Sequence, residues 1–227
     1  MNIDIQAFIQ FLSVGAIPIL LAITLHEAGH AYAALKQGDK TAWMLGRVSF
    51  NPIRHIDPIG TLAIPMALLV VGAPFLFGYA KPVPVNFRNL KDTLWSPIIV
   101  AICGPLANLI LILATVAVMY CIEFVPSSGA KQWLIQSCLM SLQINVVLMI
   151  FNLIPILPLD GGRILSAVLK GPIGYWYAST ERYGMFVLLG LIMIPVGGQP
   201  ILWQVMGPIM QQVFAVISVL APRIVLG

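Results

Sequence analysis

Residues 8–35 read FIQFLSVGAIPILLAITLHEAGHAYAAL. The run is apolar for longer than the roughly 20 residues a helix needs to cross a bilayer, yet its second half carries two histidines and a glutamate. The rest of the chain has the same character. Of 227 residues, 59% are hydrophobic and only 9% charged, against about 25% charged in ordinary soluble domains. The chain therefore reads as an all-α polytopic membrane protein, with about five to six transmembrane helices at roughly 20 residues each. A single membrane-embedded domain is expected over residues 1–227, with a core from about 8 to 163 and two additional C-terminal spans from about 183 to 220.

Working outward from the first run, Pro18 predicts a kink. A basic, irregular stretch follows, with Lys36, Lys40, Arg47 and Arg54 and turn signals at Asn51-Pro52 and Asp57-Pro58. Residues 59–77 are apolar but broken by Pro65, Gly72 and Pro74. Residues 78–86, Gly-Tyr-Ala-Lys-Pro-Val-Pro-Val-Asn, alternate like a strand, and their prolines confine it to an edge. Further spans are expected over 96–122, 133–156, 183–196 and 201–220. Most lysines and arginines fall between Lys36 and Lys91 or between Arg163 and Arg182, which places both regions on the cytosolic side. Both flanks of 59–77 are then cytosolic, and the segment is expected to be a re-entrant hairpin rather than a span.

Other readings are excluded by composition. The net charge of +4 is small and carries no basic run, so nucleic acid is not an expected partner. The three cysteines, Cys103, Cys121 and Cys138, lie in apolar stretches with no paired spacing and read as buried packing. The first four residues lack the basic start of a signal peptide, so the first run is expected to remain as a span. The expected partners are the lipid bilayer and a transmembrane protein substrate.

The chemistry sits in His26-Glu27-Ala28-Gly29-His30, an H-E-x-x-H pattern. On a helix the two histidines lie one turn apart on one face, where both can bind one zinc while Glu27 reaches the water the metal activates. Ionisable groups inside a membrane are costly and functional by default, and this chain has only eight acidic residues and three histidines. A catalytic zinc takes a third protein ligand and keeps one position open. Glu123 and Asp4 belong to the opposite face, and Asp39, Asp57, Asp92 and Glu181 to basic loops. Asp160 follows a span on the same side as His30, between Pro158 and Gly161-Gly162. Its residue type also suits a helix cap, and beside H-E-x-x-H the ligand reading is preferred. Asn108 and Asn152 are amides expected near the metal, where they would hold the scissile carbonyl or substrate strand or act as interhelical glue. His55 would steady an oxyanion or sit in a surface loop. Residues 83–85 would pair with an extended substrate by strand addition or form a structural loop covering the active site.

His26-Glu27-Ala28-Gly29-His30, together with Asn152-Leu153-Ile154-Pro155-Ile156-Leu157-Pro158-Leu159-Asp160-Gly161-Gly162, resembles the site-2 protease family of intramembrane zinc metalloproteases (peptidase family M50). Gly104-Pro105-Leu106-Ala107-Asn108 matches a weaker third motif. The resemblance implies one Zn²⁺ per chain held by His26, His30 and Asp160, with Glu27 as base. It implies hydrolysis of peptide bonds in or near transmembrane segments, as in regulated intramembrane proteolysis, in a prokaryotic plasma membrane with the site toward the cytosol. Many family members carry a PDZ or CBS domain. This chain has room for neither and resembles a short form whose control would come from a regulatory membrane partner. The alternatives are a membrane zinc transporter, a non-proteolytic scaffold, or a prenyl-processing type of protease with glutamate as third ligand, for which Glu181 is the acid available after Asp160.

Overall fold

The computed structural model describes residues 5–64, 67, 68 and 81–220. Helix α1 runs Ile5–Lys36, followed by the short α2, Thr41–Met44. Helices α3, Trp95–Ile122, and α4, Gly129–Asn152, form an antiparallel pair. Then come α5, Asp160–Val168, α6, Gly171–Ser179, and α7, Glu181–Met193. Strands β1, Pro195–Val196, and β2, Gln199–Pro200, form a two-stranded hairpin. Gly197 and Gly198 turn it, both at positive φ, which suits a two-residue turn matched to strand twist. Helix α8, Ile201–Leu220, closes the chain.

Four helices are long and apolar enough to cross a membrane among the described residues: Ile9–Lys36 within α1, α3, α4 and α8. Helices α1, α3 and α4 pack against one another. The largest apolar cluster lies away from the histidines. It joins Ile112, Val116 and Met119 of α3 to Leu142, Val146 and Ile150 of α4 and to Leu202, Met206 and Ile217 of α8. Small side chains line the α1 interface, where Ala22, Ala28, Ala31 and Ala34 are fully buried. Without a hydrophobic force between helices in lipid, such residues let backbones approach until dispersion contacts hold them. Large apolar side chains instead point outward, among them Ile17 and Leu21 of α1, Ile102, Ile110 and Leu113 of α3 and Val205 and Ile209 of α8.

Three expectations meet the structure differently. The expected span over 183–196 is the 13-residue helix α7, about 20 Å long at 1.5 Å per residue and short of the roughly 30 Å hydrocarbon core. Its chain turns back through the β-hairpin instead of continuing. In the expected hairpin over 59–77, Pro58–Ala63 forms a wide π-type helical turn capped by Asp57, while 65, 66 and 69–77 lie outside the described residues. The β-like segment 78–86 is described from Lys81 onward. It passes beside the histidines but forms no ladder, since the hairpin at 195–200 is the sheet found among the described residues.

Candidate metal centre

Helix α1 carries His26 and His30 one turn apart, with Glu27 next to His26. Opposite, α3 approaches closely because Gly29 and Gly104 lack side chains. A Cβ on Gly29 would stand 2.5 Å from the Cys103 carbonyl oxygen, and one on Gly104 would overlap the His30 ring and stand 2.8 Å from His26 Cε1. The third member arrives from the irregular stretch after α4. There the chain leaves the helix at Leu153 and re-enters one at Asp160, after a cis Leu157–Pro158 peptide. Asp160 is the first residue of α5, and its carboxylate turns to the histidines. No side chain caps that helix start, so the cap alternative for Asp160 is not the one realised. Gly161 and Gly162 sit within α5, with the Leu153–Leu157 backbone lying where their Cβ atoms would be.

His26 Nε2 and His30 Nε2 are 3.1 Å apart, and each lies 3.3 Å from one oxygen of Asp160. The three ligand atoms fall within 4.8 Å of one another. The far side of each ring decides what these atoms can do. His26 Nδ1 meets Asn108 Oδ1 at 2.7 Å, and His30 Nδ1 meets the Val100 carbonyl oxygen at 2.8 Å. Both oxygens only accept, so each Nδ1 donates, and in its neutral form each ring turns an Nε2 lone pair toward Asp160. Two lone pairs and a carboxylate then converge with no donor among them. Asp160 Oδ2 is buried and has no hydrogen bond. Such a cluster suits a metal cation at its centre, and two imidazole nitrogens with one carboxylate are a catalytic zinc's donor set.

Glu27 stands beside this cluster but is not part of it. Its Oε2 accepts from the Val83 backbone N–H at 2.7 Å. Glu27, His26, His30 and Asp160 line one cavity of about 550 Å³ with Val83, Val85, Phe87, Phe151 and Asn152. The wall that carries Val83 is pinned along its length. Lys81 N–H donates to the His55 carbonyl and its own carbonyl accepts from Arg47 Nη2. Asn86 N–H and Asn89 Nδ2 donate to Asp39, and Lys91 N–H donates to the Gln37 carbonyl. Asp39 is fully buried. Burial raises its pKa, but hydrogen bonds from Thr41, Asn86 and Asn89 more than offset this and hold it below the usual carboxylate range. Arg163 closes one end of the cavity, forming a bidentate pair with Glu181 and stacking over the Phe87 ring at 5.0 Å.

The structure thus brings His26, His30 and Asp160 together with Glu27 adjacent. Asn108 stands behind His26, near the metal position but outside the cavity lining. It is fully buried, and its carboxamide is occupied by His26, Asn145 and the Ala22 carbonyl. It therefore props a ligand and does not face the cavity. Asn152 does line the cavity, with Nδ2 bonded back to the Leu148 carbonyl at 3.0 Å. His55 is buried outside the cavity lining and donates to the Ser49 carbonyl. Glu181 is engaged by Arg163. Asn145, Asp39 and Arg163 escaped the sequence reading. Asn145 carried a usable signal, a carboxamide in an apolar helix. Asp39 and Arg163 looked like ordinary loop charges.

The profile described as peptidase family M50 matches residues 14–195. YwhC of Bacillus subtilis is 38% identical over 194 residues, which cover 82% of this chain and 83% of that protein. Rip2 of Mycobacterium tuberculosis is 30% identical over 177 residues, covering 78% of this chain and 65% of that protein. MJ0392 of Methanocaldococcus jannaschii is 27% identical over 187 residues, covering 82% and 43%. All three carry the words "zinc metalloprotease" in their names. No solved structure matches the chain.

Proposed function

The chain belongs to peptidase family M50, and from that premise we propose that it is an intramembrane protease, hydrolysing a peptide bond in or near a transmembrane segment of another membrane protein. The observation that carries this reading is the donor-free convergence of His26, His30 and Asp160 beside Glu27, in a cavity built on span-length helices. His26, His30 and Asp160 would hold the zinc. When bound, zinc supplies Lewis-acid activation of a water molecule and of the scissile carbonyl. Glu27 is the base: its carboxylate takes a proton from the attacking water and returns it to the leaving amine.

A substrate helix resists cleavage while its backbone is bonded to itself, so the cavity must hold it extended. Residues 82–85 read Pro-Val-Pro-Val. Prolines donate no hydrogen bond, and the N–H groups available for strand addition are those of Val83 and Val85, which line the cavity. In this reading Val83 is engaged by Glu27 before substrate binds. Asn152 lines the same cavity, which supports a contact from its second amide hydrogen to the substrate carbonyl. The segments rich in lysine and arginine flank the histidine end of the bundle, which supports a site toward the cytosol. A prokaryotic plasma membrane and a membrane partner that controls access complete the reading.

The test is cleavage of a single-span membrane protein by purified enzyme in detergent, with zinc content measured in parallel. Cleavage by wild type and none by Glu27→Gln, with one zinc in each, is the expected result. Zinc in both without cleavage in either, together with zinc flux in vesicles, would replace the protease by a transporter.

A further inference from the structure

Behind His26 lies a chain of buried amides that no part of the hydrolytic reading uses. Asn108 of α3 and Asn145 of α4 are both fully buried. Asn145 Nδ2 donates to the Ser141 carbonyl oxygen at 2.8 Å. Its Oδ1 accepts from Asn108 Nδ2 at 2.9 Å, and Asn108 Oδ1 faces His26 Nδ1 at 2.7 Å. A carboxamide can be turned over, exchanging its donor and acceptor ends. Here the chain has one consistent direction, because it starts on a main-chain carbonyl that can only accept. Turning Asn145 over would set two oxygens 2.8 Å apart at Ser141. The hydroxyls beyond agree with this direction. Thr115 donates to the Leu111 carbonyl, so at the 2.9 Å contact between Thr115 and Ser141 it is Ser141 that donates.

The far end of the chain decides a proton. With Asn108 held as it is, His26 Nδ1 must donate, and Nε2 is bare. With Asn108 turned over, its amide would donate to Nδ1, and the ring proton would move to Nε2, between the metal position and His30. A weaker contact from Asn108 Nδ2 to the Ala22 carbonyl, at 3.3 Å, favours the same orientation but is long for a hydrogen bond. We propose that Asn145 is a positioning residue of the metal centre: acting through Asn108, it fixes the His26 tautomer that leaves Nε2 free to bind zinc. The inference rests on the reading of His26, His30 and Asp160 as a zinc site. Partners that orient a ligating histidine from behind commonly govern metal affinity by about 10- to 100-fold.

Two substitutions separate this role from packing. Asn145→Leu keeps the volume and removes the acceptor that Asn108 needs. Asn145→Asp keeps that acceptor in either protonation state, and when protonated it also donates to Ser141. Zinc affinity is read by competition with a chelator in detergent. Asn145→Leu should weaken zinc about 10- to 100-fold, while Asn145→Asp stays close to wild type. Equal affinity for wild type and Asn145→Leu overturns the proposal, as does equal weakening in both variants. A measurement on the wild type stands even if a variant fails to fold. In metal-free protein labelled with ¹⁵N-histidine, at alkaline pH where the rings are neutral, His26 should be protonated on Nδ1. Protonation on Nε2 overturns the relay. A wild type that binds no zinc while showing the Nδ1 tautomer would instead remove the zinc reading and leave the relay intact.

Discussion

The cavity has a floor and a rim, and the two are built on different principles. The floor is made of side chains on α1, α3 and α4 with Asp160 of α5, and α1 meets α3 through glycine and alanine contacts. Its hydrogen bonds run in chains that end on main-chain carbonyls at Ser141 and Val100, which gives each bond one direction. The rim is a stretch of chain without a ladder. It is fastened by backbone N–H groups to carboxylates distant in sequence: Val83 to Glu27 and Asn86 to Asp39. Groups that hold a metal must be set before it arrives, since a misdirected lone pair costs affinity. A surface that receives an extended peptide, as proposed for the rim, must instead offer hydrogen bonds that can be exchanged. Glu27 sits at the junction, with its backbone in the floor and its carboxylate bonded to the rim.

The sharpest way to break the contrast is to disturb the floor where it has no slack. In Gly104→Ala the new methyl would overlap the His30 ring, and α3 cannot withdraw without unpacking α1. Zinc per chain should fall to near zero and cleavage with it; full zinc occupancy in a folded variant would show that the floor yields. Glu27→Gln comes next. It should lower cleavage by about 10²- to 10⁴-fold with zinc content unchanged, because Glu27 is not among the three converging ligands.

The rim should respond more softly. Val83→Pro deletes the N–H that Glu27 accepts. Loss of a hydrogen bond to a charged group, about 1.5–3 kcal/mol, corresponds to roughly 10- to 100-fold in kcat/KM. Zinc content should not change, and Val83→Ala, which keeps the N–H, should stay near wild type. Equal losses in the two variants would assign the effect to packing. Asp39→Asn should cost about 1.5–3 kcal/mol of stability, read as a lower Tm in detergent. Because hydrogen bonding holds the Asp39 carboxyl below its ordinary value, its contribution is complete above the unfolded carboxyl's pKa of about 4. It is lost as pH falls from there through the folded value. The Tm difference between wild type and Asp39→Asn should therefore shrink on acidification, and a difference constant with pH would count against Asp39 as the anchor. Glu181→Gln should matter least. The Arg163 pair is partly exposed, and such pairs contribute about 0–1 kcal/mol. A larger loss of cleavage would make Arg163 part of the substrate path.

Several parts of the centre were legible before any coordinates. The i, i+4 spacing of His26 and His30 puts two nitrogens on one helix face wherever that helix goes. Asp160 stood out because glycines and a proline surround an acid at the end of an apolar run. The amides were harder. Asn108 reads as polar glue or a substrate contact, and only the facing ring of His26 reveals that it is spent on a ligand. Asn145 is marked as a carboxamide in an apolar helix, but the sequence says nothing of what lies across the interface from it. Asp39 looked like a solvated loop charge until the loop folded onto the 86–91 segment.

The sequence alone therefore determined what depends on local period and composition: membrane helices, from the length and apolarity of the runs, and the zinc-and-base pattern, from residues one turn apart. The meeting of Asp160 with α1, the direction of the amide chain behind His26 and the docking of Val83 on Glu27 were decided only by tertiary structure. Each joins groups 50 or more residues apart. Their hydrogen bonds acquire a direction only when helix packing excludes water and leaves one partner for each donor.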